Sequence, residues 1–553
     1  MKLDSAKFSE YTGRYALKTD LILEIKIESG LLTLRPSFWG SLQILESKET
    51  DKFFSLLHPH MKFEFNRDDT GMIVSLTASG HKEIHGAALK LAHDDIQVVE
   101  HILSGRVEEA LKRLNEPEEK ATEDRILDLG SKLVQNRLSQ PQMAVEFASA
   151  MESNYPNSVD LKHILAFAYL LTNDRENALP TFKRASMIDP ENSITKTALR
   201  LLDPENTSPP PEDSWILPFD INDLFTEPLP KEIENVLADW QVRDLSVSQN
   251  QIVDVHDVIL NQVEYDLRII SHEVHSAKHF GAVLIPKGIK SGDSHLLVEC
   301  HGVDPHYSPF NILEAETPFI LGGKGRNTVI AIPSFRGNTL IVNDRSYISE
   351  GSPKNAWDGA ADDTLAFINA VLDITPEVDQ NRISVFGKSR GGTVAMLSGI
   401  RDKRIKSIVG WTGPADWFSN MGNLGWTLKE LVQWALWERW TSGTGWGSAA
   451  QFIDQRLAES IEHGKGSLSE IRQRMIASSP LYFVDQLPAA QLHYGLEDGA
   501  VSVSNAKAIQ KVIDENGNNK PVVEVFVHEH SGHDMPYPLA YELSRKFLLK
   551  SFQ

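Results

Sequence analysis

Ile383-Ser384-Val385-Phe386 runs without a break into Gly387-Lys388-Ser389-Arg390-Gly391-Gly392, and residues 393–400 continue at helical spacing. A short apolar run, a glycine-flanked serine and a helix read as strand, sharp turn and helix. Glycines stand beside the serine because Cβ atoms would block so tight a turn. The turn lifts the hydroxyl above a sheet, at a helix start whose amides and dipole favour negative charge. Gly-x-Ser-x-Gly alone is a weak signal, since small-residue turns are common. The strand before it, the helix after it and the extra Gly392 make Ser389 a candidate nucleophile.

Working outward, short apolar runs recur at 282–286, 296–300 and 329–333 before this stretch, and at 405–409, 491–494 and 522–527 after it. Helical patterns fill 359–371, 506–513 and 539–549. Strands alternating with helices predict a mostly parallel sheet with helices on both faces.

A serine nucleophile needs a base and an orienting acid, in the chain order Ser, Asp or Glu, His. Gly495-Leu496-Glu497-Asp498-Gly499-Ala500-Val501 follows one strand, and its Gly-x-x-Asp-x-x-Val spacing favours Asp498 over Glu497 as the acid. His528-Glu529-His530-Ser531-Gly532-His533-Asp534 follows the last strand. His533, after a glycine and before the final helix, can swing toward the serine; His528 and His530 sit closer to the strand. The same cluster has a metal reading, His-x-His-x-x-His, in which Gly532 stands where a metallo-β-lactamase-type site has aspartate. Oxyanion donors are expected from the amide of Arg390 and, in Cys300-His301-Gly302-Val303, from Val303. His301 either orients that loop or touches substrate.

These residues, with Phe335-Arg336-Gly337, Trp357-Asp358, Asp362, Asp379 and Arg382, make the region 215–553 resemble an α/β-hydrolase of the prolyl oligopeptidase-like group. The resemblance implies acyl transfer to Ser389 and then hydrolysis. His533 moves the proton and Asp498 holds the imidazole, with no cofactor or metal. It implies a small-molecule ester or peptide substrate, with a peptidase favoured and a carboxylesterase or deacylase as the alternative. It also implies that Arg336 pairs with Asp358 or Asp362. Peptidases of that group usually carry a β-propeller, and no blade repeat occurs here.

Residues 411–446 hold seven of the chain's 11 tryptophans. They open a region of about 411–480 that reads as a cap inserted between nucleophile and acid. Its rings form either a helical core or, through Trp417, Trp426 and Trp437, a substrate pocket.

Upstream, residues 1–91 alternate with period two. Leu21, Leu23, Ile25 and Ile27 share one face, as do Met61, Phe63 and Phe65, and then Met72, Val74 and Leu76. This predicts a small antiparallel β-barrel, resembling modules appended to some serine hydrolases. Residues 92–203 turn helical and repeat: Ala110, Ala144 and Ala178 recur every 34 residues, as do Pro156 and Pro190. Ala166, Tyr169, Ala178, Phe182, Ala185 and Pro190 resemble a tetratricopeptide unit. Such an array presents a groove for a protein or peptide partner, or serves as a spacer. Partner binding by the array with an inactive hydrolase domain is a further reading of the whole chain. The proline-rich stretch 204–214 reads as a linker.

At 553 residues the chain has room for three or four domains. Its 76 acidic and 55 basic residues leave a formal charge of −21, which disfavours nucleic acid as partner. One cysteine excludes an intrachain disulfide. No apolar run is long enough for a membrane span. The polar start, Met1 to Tyr11, predicts a cytoplasmic protein, although a processed exported chain would begin the same way.

Overall fold

The computed structural model describes residues 5–552, apart from 19, 29, 38–42, 56–60, 81–83, 117–120, 136–140, 291, 293, 303–308, 419–424, 440–452, 454–456, 458–465, 517–521, 530 and 537. Eight strands, from β1 (Gly13–Lys18) to β8 (Gly86–Lys90), pair in sequence order, and β8 closes on β1 to form an antiparallel barrel. Leu23, Ile25, Phe63 and Phe65 point inward as the alternation predicts, while Ile27 is 45% exposed at the strand end. The expected face of Met72, Val74 and Leu76 is corrected. A register shift opposite Asn66 and Arg67 turns Ile73 inward, and Met72 and Val74 face solvent. A one-residue offset exchanges the two faces of a strand, which periodicity alone does not reveal.

Seven helices follow: α1 (Val98–Leu103), α2 (Val107–Leu114), α3 (Glu123–Gln135), α4 (Pro141–Glu152), α5 (Val159–Leu171), α6 (Arg175–Ile188) and α7 (Ser193–Leu202). Ala110, Ala144 and Ala178 fall on α2, α4 and α6, all fully buried. Ser158 and Asp174 cap α5 and α6 by accepting from Leu161 and Asn177 amides. This helical core admits Ile22 from the outer face of the barrel and Trp426, Leu431 and Trp434 from far downstream. Arg125 pairs with Asp20 of the barrel at 2.8 Å, so barrel and helices are joined by both apolar and ionic contacts.

The last part is built on a nine-stranded mixed sheet. β9 (Ser248–Leu260), β10 (Val263–Val274) and β11 (Ala277–Pro286) form an antiparallel meander. β12 (Ser294–Cys300), β13 (Phe310–Asn311), β14 (Thr328–Pro333), β15 (Thr339–Val342), β16 (Arg345–Ile348), β17 (Val378–Lys388), β18 (Ile405–Trp411), β19 (Ala489–Gly495) and β20 (Val523–His528) follow, and helices α8 (Ile221–Leu224), α9 (Pro230–Val242) and α10 (Thr317–Leu321) flank them. The sheet runs β20-β19-β18-β17-β12-β14-β11-β10-β9, parallel from β20 to β14. β13, β15 and β16 form a separate small sheet. The crossover that seats β14 outside β12 is the strand order of an α/β-hydrolase. Alternate residues of β12 feed two cores: Leu296 and Val298 pack with α11 (Asp358–Ile374) and α12 (Arg390–Arg401), and Leu297 with the helix Leu539–Ser551. All seven apolar runs expected in this region are strands. Among the described residues, no helix is long and apolar enough to cross a membrane.

Arg336 does not pair with Asp358 or Asp362. Its guanidinium binds Asp363 at 2.7 Å, while Asp358 and Asp362 meet Arg243, at 2.9 and 3.0 Å, and Arg401. Asp358 and Asp362 are four apart on α11 and share a face; Asp363 lies one residue further round, toward the end of β14. Replacing Arg401 by Met should therefore destabilise strongly. Its side chain is 3% exposed, and its loss leaves two buried carboxylates to one arginine. We expect a loss of about 3–5 kcal/mol in urea unfolding. A change below ~1 kcal/mol would show that Arg243 alone suffices.

Candidate active site

Ser389 sits between β17 and α12 at φ 57° and ψ −124°. A side chain at this left-handed φ is costly, and such residues persist only where the surroundings enforce them. The surroundings here are backbone. A Cβ at Gly387 would come within 2.0 Å of the Gly391 carbonyl oxygen, and one at Gly391 within 1.8 Å of the Cys300 carbonyl oxygen. The glycines of the motif thus let three chain segments meet, and the serine is pushed out above the sheet.

The cleft at this point has a volume of about 340 Å³, and Ser389, Arg390, His301, Phe310 and His533 are among its lining residues. His533 reaches it from the loop after β20. Its Nδ1 lies 2.8 Å from Asp498 Oδ2, and the Asp498 side chain is fully buried. Asp498 Oδ1 accepts from the amides of Ala500 and Val501, at 2.8 and 2.9 Å, so the turn itself aims the carboxylate. Of the adjacent acids Glu497 and Asp498, it is Asp498 whose carboxylate meets His533 in this contact. Among the described residues, no hydrogen bond joins Ser389 to His533; in unliganded sites this contact commonly tightens only with substrate.

Of the three histidines in the metal reading, His530 lies outside the described residues. The other two are turned to different partners: His533 to Asp498, and His528 Nε2 to His493 Nδ1 at 2.8 Å. Among the described residues, no group of three His, Cys, Asp or Glu is placed to hold a metal ion.

Arg390 is the first residue of α12, which puts its amide beside the serine. Val303 lies outside the described residues. His301 stacks between Phe310 and Phe335, at 4.9 and 4.5 Å between centroids. Burial and the Arg390 charge hold its pKa well below the usual histidine range. The Arg390 side chain, 2% exposed, donates to the Gly302 carbonyl at 2.9 Å and to Asn338 Oδ1 at 2.8 Å. It also lies over Phe335 at 4.6 Å. His301 Nδ1 also lies 3.2 Å from the Arg390 guanidinium, and its ring is among the residues lining the cleft.

Of the two readings of the cap's rings, core or pocket, the pocket candidates Trp417, Trp426 and Trp437 are not among the cleft's lining residues. Trp417 is 1% exposed, packs edge-on against Trp357 and donates to the Ser478 carbonyl. Trp426, also 1% exposed, belongs to the core of the upstream helices. Trp437 is half-buried on α13 (Leu428–Glu438), whose Trp437 carbonyl accepts from Ser214. Trp440 and Trp446 lie outside the described residues.

Sequence reading missed the charged frame of the cleft. Lys388 bridges Asp534 at 2.6 Å and Glu316 at 3.2 Å, which ties the histidine loop to the opposite wall. Glu299, at the end of β12, accepts from the amides of Glu316 and Thr317, at 2.8 and 3.0 Å. Desolvation pushes its pKa up to about 7 despite these bonds. Lys388 and Arg390 stand beside the serine in the motif, so their position was available; nothing in sequence marked Glu299 or Asn338 as their neighbours.

Beneath the histidine loop, His493 contacts both His528 and Gln491 Oε1, at 2.8 and 2.9 Å. One proton fits between the two rings, so they cannot both be cationic. Desolvation lowers the pKa of His528 to about 4, as it does for His272, and lowers His295 to about 3. Folded values below the unfolded ~6.5 mean that the unfolded chain binds more protons in this window. Stability is then full above ~6.5 and is lost as pH falls toward 4. Glu299 acts oppositely, its raised value costing stability as pH rises toward 7, but the histidines held below their usual range, His301 and His493 among them, outnumber it. Urea midpoints should fall from pH 7 to pH 4, and less steeply in His528→Phe than in wild type; equal slopes would refute a role for the His493–His528 contact.

No protein-family model matches the chain, and no curated protein matches it. Solved structures do. Acetyl xylan esterase 1 from Thermoanaerobacterium sp. aligns at 15% identity and TM-score 0.40, over 61% of this chain and 99% of the esterase. A Mycobacterium tuberculosis puromycin-hydrolyzing peptidase aligns at 13% identity and TM-score 0.37, over 54% of this chain and 38% of the peptidase. An acetyl xylan esterase from Paenibacillus sp. R4 aligns at 15% identity and TM-score 0.37, over 60% of this chain and 99% of that one.

Proposed function

We propose that the chain is a serine hydrolase that cleaves ester or amide bonds through an acyl-enzyme on Ser389. The observation that carries this reading is the His533–Asp498 contact of 2.8 Å at the cleft that also exposes a strained Ser389. Asp498 fixes the imidazole with Nε2 available to the serine side. His533 then takes the Ser389 proton as the hydroxyl attacks the carbonyl, and returns it to the leaving group. The Arg390 amide and the loop after Gly302 supply the oxyanion donors. Water repeats the cycle on the acyl-enzyme.

A peptidase of the prolyl oligopeptidase-like kind is the first reading of the substrate. A carboxylesterase or deacylase is the second, favoured by the absence of a propeller among the described residues: a barrel and paired helices precede the sheet. The 34-residue offset that places Ala110, Ala144 and Ala178 on the second helix of successive pairs supports a tetratricopeptide-like array, open to a peptide partner on the faces the rest of the chain leaves uncovered. A fluorophosphonate probe, followed by matched panels of aryl esters and peptidyl amides, tests the reading. Labelling of wild type and its loss in Ser389→Ala are expected, and the ratio of the two activities separates peptidase from esterase. An unlabelled wild type overturns the hydrolase assignment.

A further inference from the structure

Lys388 and Asp534 each stand one residue from a member of the proposed triad: Lys388 precedes Ser389, and Asp534 follows His533. The Lys388 ammonium donates to Asp534 Oδ1 at 2.6 Å. This ion pair therefore links the nucleophile's strand to the base's loop, a link that no direct hydrogen bond between Ser389 and His533 supplies.

The loop that carries His533 is held on two sides. On one side, the Glu497 amide donates to the Ser531 carbonyl at 2.9 Å, and a Cβ at Gly495 would fall 2.2 Å from the Gly532 carbonyl oxygen. Residues 531 and 532 thus lie directly on the acid turn. On the other side Asp534 reaches Lys388, and His533 stands between the two anchors. The lysine end is itself braced. Lys388 also donates to Glu316 Oε1 at 3.2 Å, and the Glu316 amide is held by Glu299 at the end of β12. β12 runs on into Gly302, where a Cβ would lie 3.5 Å from Ser389 Cβ. One ammonium thus gathers the ends of β17 and β12 and the histidine loop. Burial alone would lower the Lys388 pKa, but Asp534 and Glu316 hold it well above the usual lysine range. The charge, and with it the bridge, persists throughout the range in which histidine titrates.

A lysine beside a serine nucleophile has a second role open to it, binding an anionic group of the substrate. Two carboxylates already share this ammonium, so the local charge is negative and an anion is repelled. We propose that Lys388 is a positioning residue of the hydrolytic reaction: by holding Asp534 it sets the reach of His533 to Ser389, without touching substrate. This role rests on the hydrolase reading of Ser389, Asp498 and His533.

The test is a double-mutant cycle in the full chain, with Lys388→Met, Asp534→Ala and the two combined, on an ester or amide that wild type turns over. Turnover is counted per fluorophosphonate-labelled serine, so that a loss of folded protein does not register as a loss of kcat. Each single variant should lower kcat about 10- to 100-fold, the scale of loss that a misplacement of ~1 Å brings, while KM stays within about twofold of wild type. The double variant should fall no further than Lys388→Met, because both changes remove one contact. Lys388→Arg, which keeps a cation able to meet both carboxylates, should recover most of the lost kcat. Asp534→Ala changes a side chain that is 38% exposed, and it keeps the test decisive where Lys388→Met does not fold. Unchanged kcat in Asp534→Ala, a raised KM with kcat unchanged, or losses that multiply in the double variant would each overturn the role of Lys388 while wild-type labelling still upheld the hydrolase. A wild type that neither labels nor turns over substrate overturns the hydrolase reading itself, and this role with it.

Discussion

Ser389→Ala should lower turnover by roughly 10⁴–10⁶-fold and end fluorophosphonate labelling, while leaving the circular dichroism spectrum unchanged. The size follows from the role: without the hydroxyl no acyl-enzyme forms, and only binding and oxyanion contacts remain. Loss of activity alone would not separate a nucleophile from a structural serine. Ser389→Gly makes that separation. The residue is held at φ 57° and ψ −124°, a region that glycine enters freely and other residues enter at a cost of about 1–3 kcal/mol. Glycine also adds entropy to the unfolded chain, which offsets up to ~1 kcal/mol of the relief. We therefore expect Ser389→Gly to be as inactive as Ser389→Ala yet more stable than it in urea unfolding, by about 1 kcal/mol. A strained residue whose removal stabilises the fold and destroys activity is one kept for chemistry. Equal stability of the two variants would mean that the turn stores no strain at the serine. Retained turnover in either would remove Ser389 from the mechanism.

What could be read in advance divides along a physical line. Strands and helices of the sheet region were legible because each buries apolar residues at its own period, and that period is a local property of sequence. The Asp498–His533 meeting was legible because chain order and turn chemistry restrict where an acid and a base can stand in this fold. Partner choice among buried charges was not. Asp358, Asp362 and Asp363 all lie on the first turns of α11, and the rotation of one residue decides which arginine each one meets. The barrel strand around Ile73 shows the same limit, since a register shift in its pairing with the preceding strand, between Asn66 and Arg67, exchanged its faces. The tryptophans left two readings open for a different reason. A ring suits a core and a pocket equally well, and only the tertiary neighbours distinguish them. For Trp426 those neighbours are helices more than 200 residues upstream.

Trp434→Ala is the variant that measures what this arrangement contributes, and it should destabilise by about 3–5 kcal/mol without changing the preference between esters and amides. Trp434 is 1% exposed and meets Trp426 edge to face at 5.7 Å, in a core shared with Leu165, Phe167 and Leu170 of α5. The approach is close enough to need Gly425, where a Cβ would fall 2.4 Å from the Leu170 carbonyl carbon. Arg175 closes the seam by pairing with Glu430 at 2.8 Å while its guanidinium lies over the Trp426 ring. The helices upstream and the segment downstream of β18 thus share one apolar core, and removing a ring from it leaves a cavity bordered by both. Because the seam joins two parts of the chain, Trp434→Ala should also separate their unfolding: a single transition in wild type becomes two when tryptophan fluorescence and far-ultraviolet circular dichroism are followed together. Glu430→Gln, which removes one charge of the half-buried Arg175–Glu430 pair but keeps the rings, should move stability far less. An altered ester-to-amide ratio in Trp434→Ala, with stability unchanged, would place this ring at the substrate pocket instead. The expected result has a consequence for the upstream helices: the surface of α5 that faces Trp426 and Trp434 is already occupied by the chain's own segment, so a peptide partner of the array must use another face or displace this one.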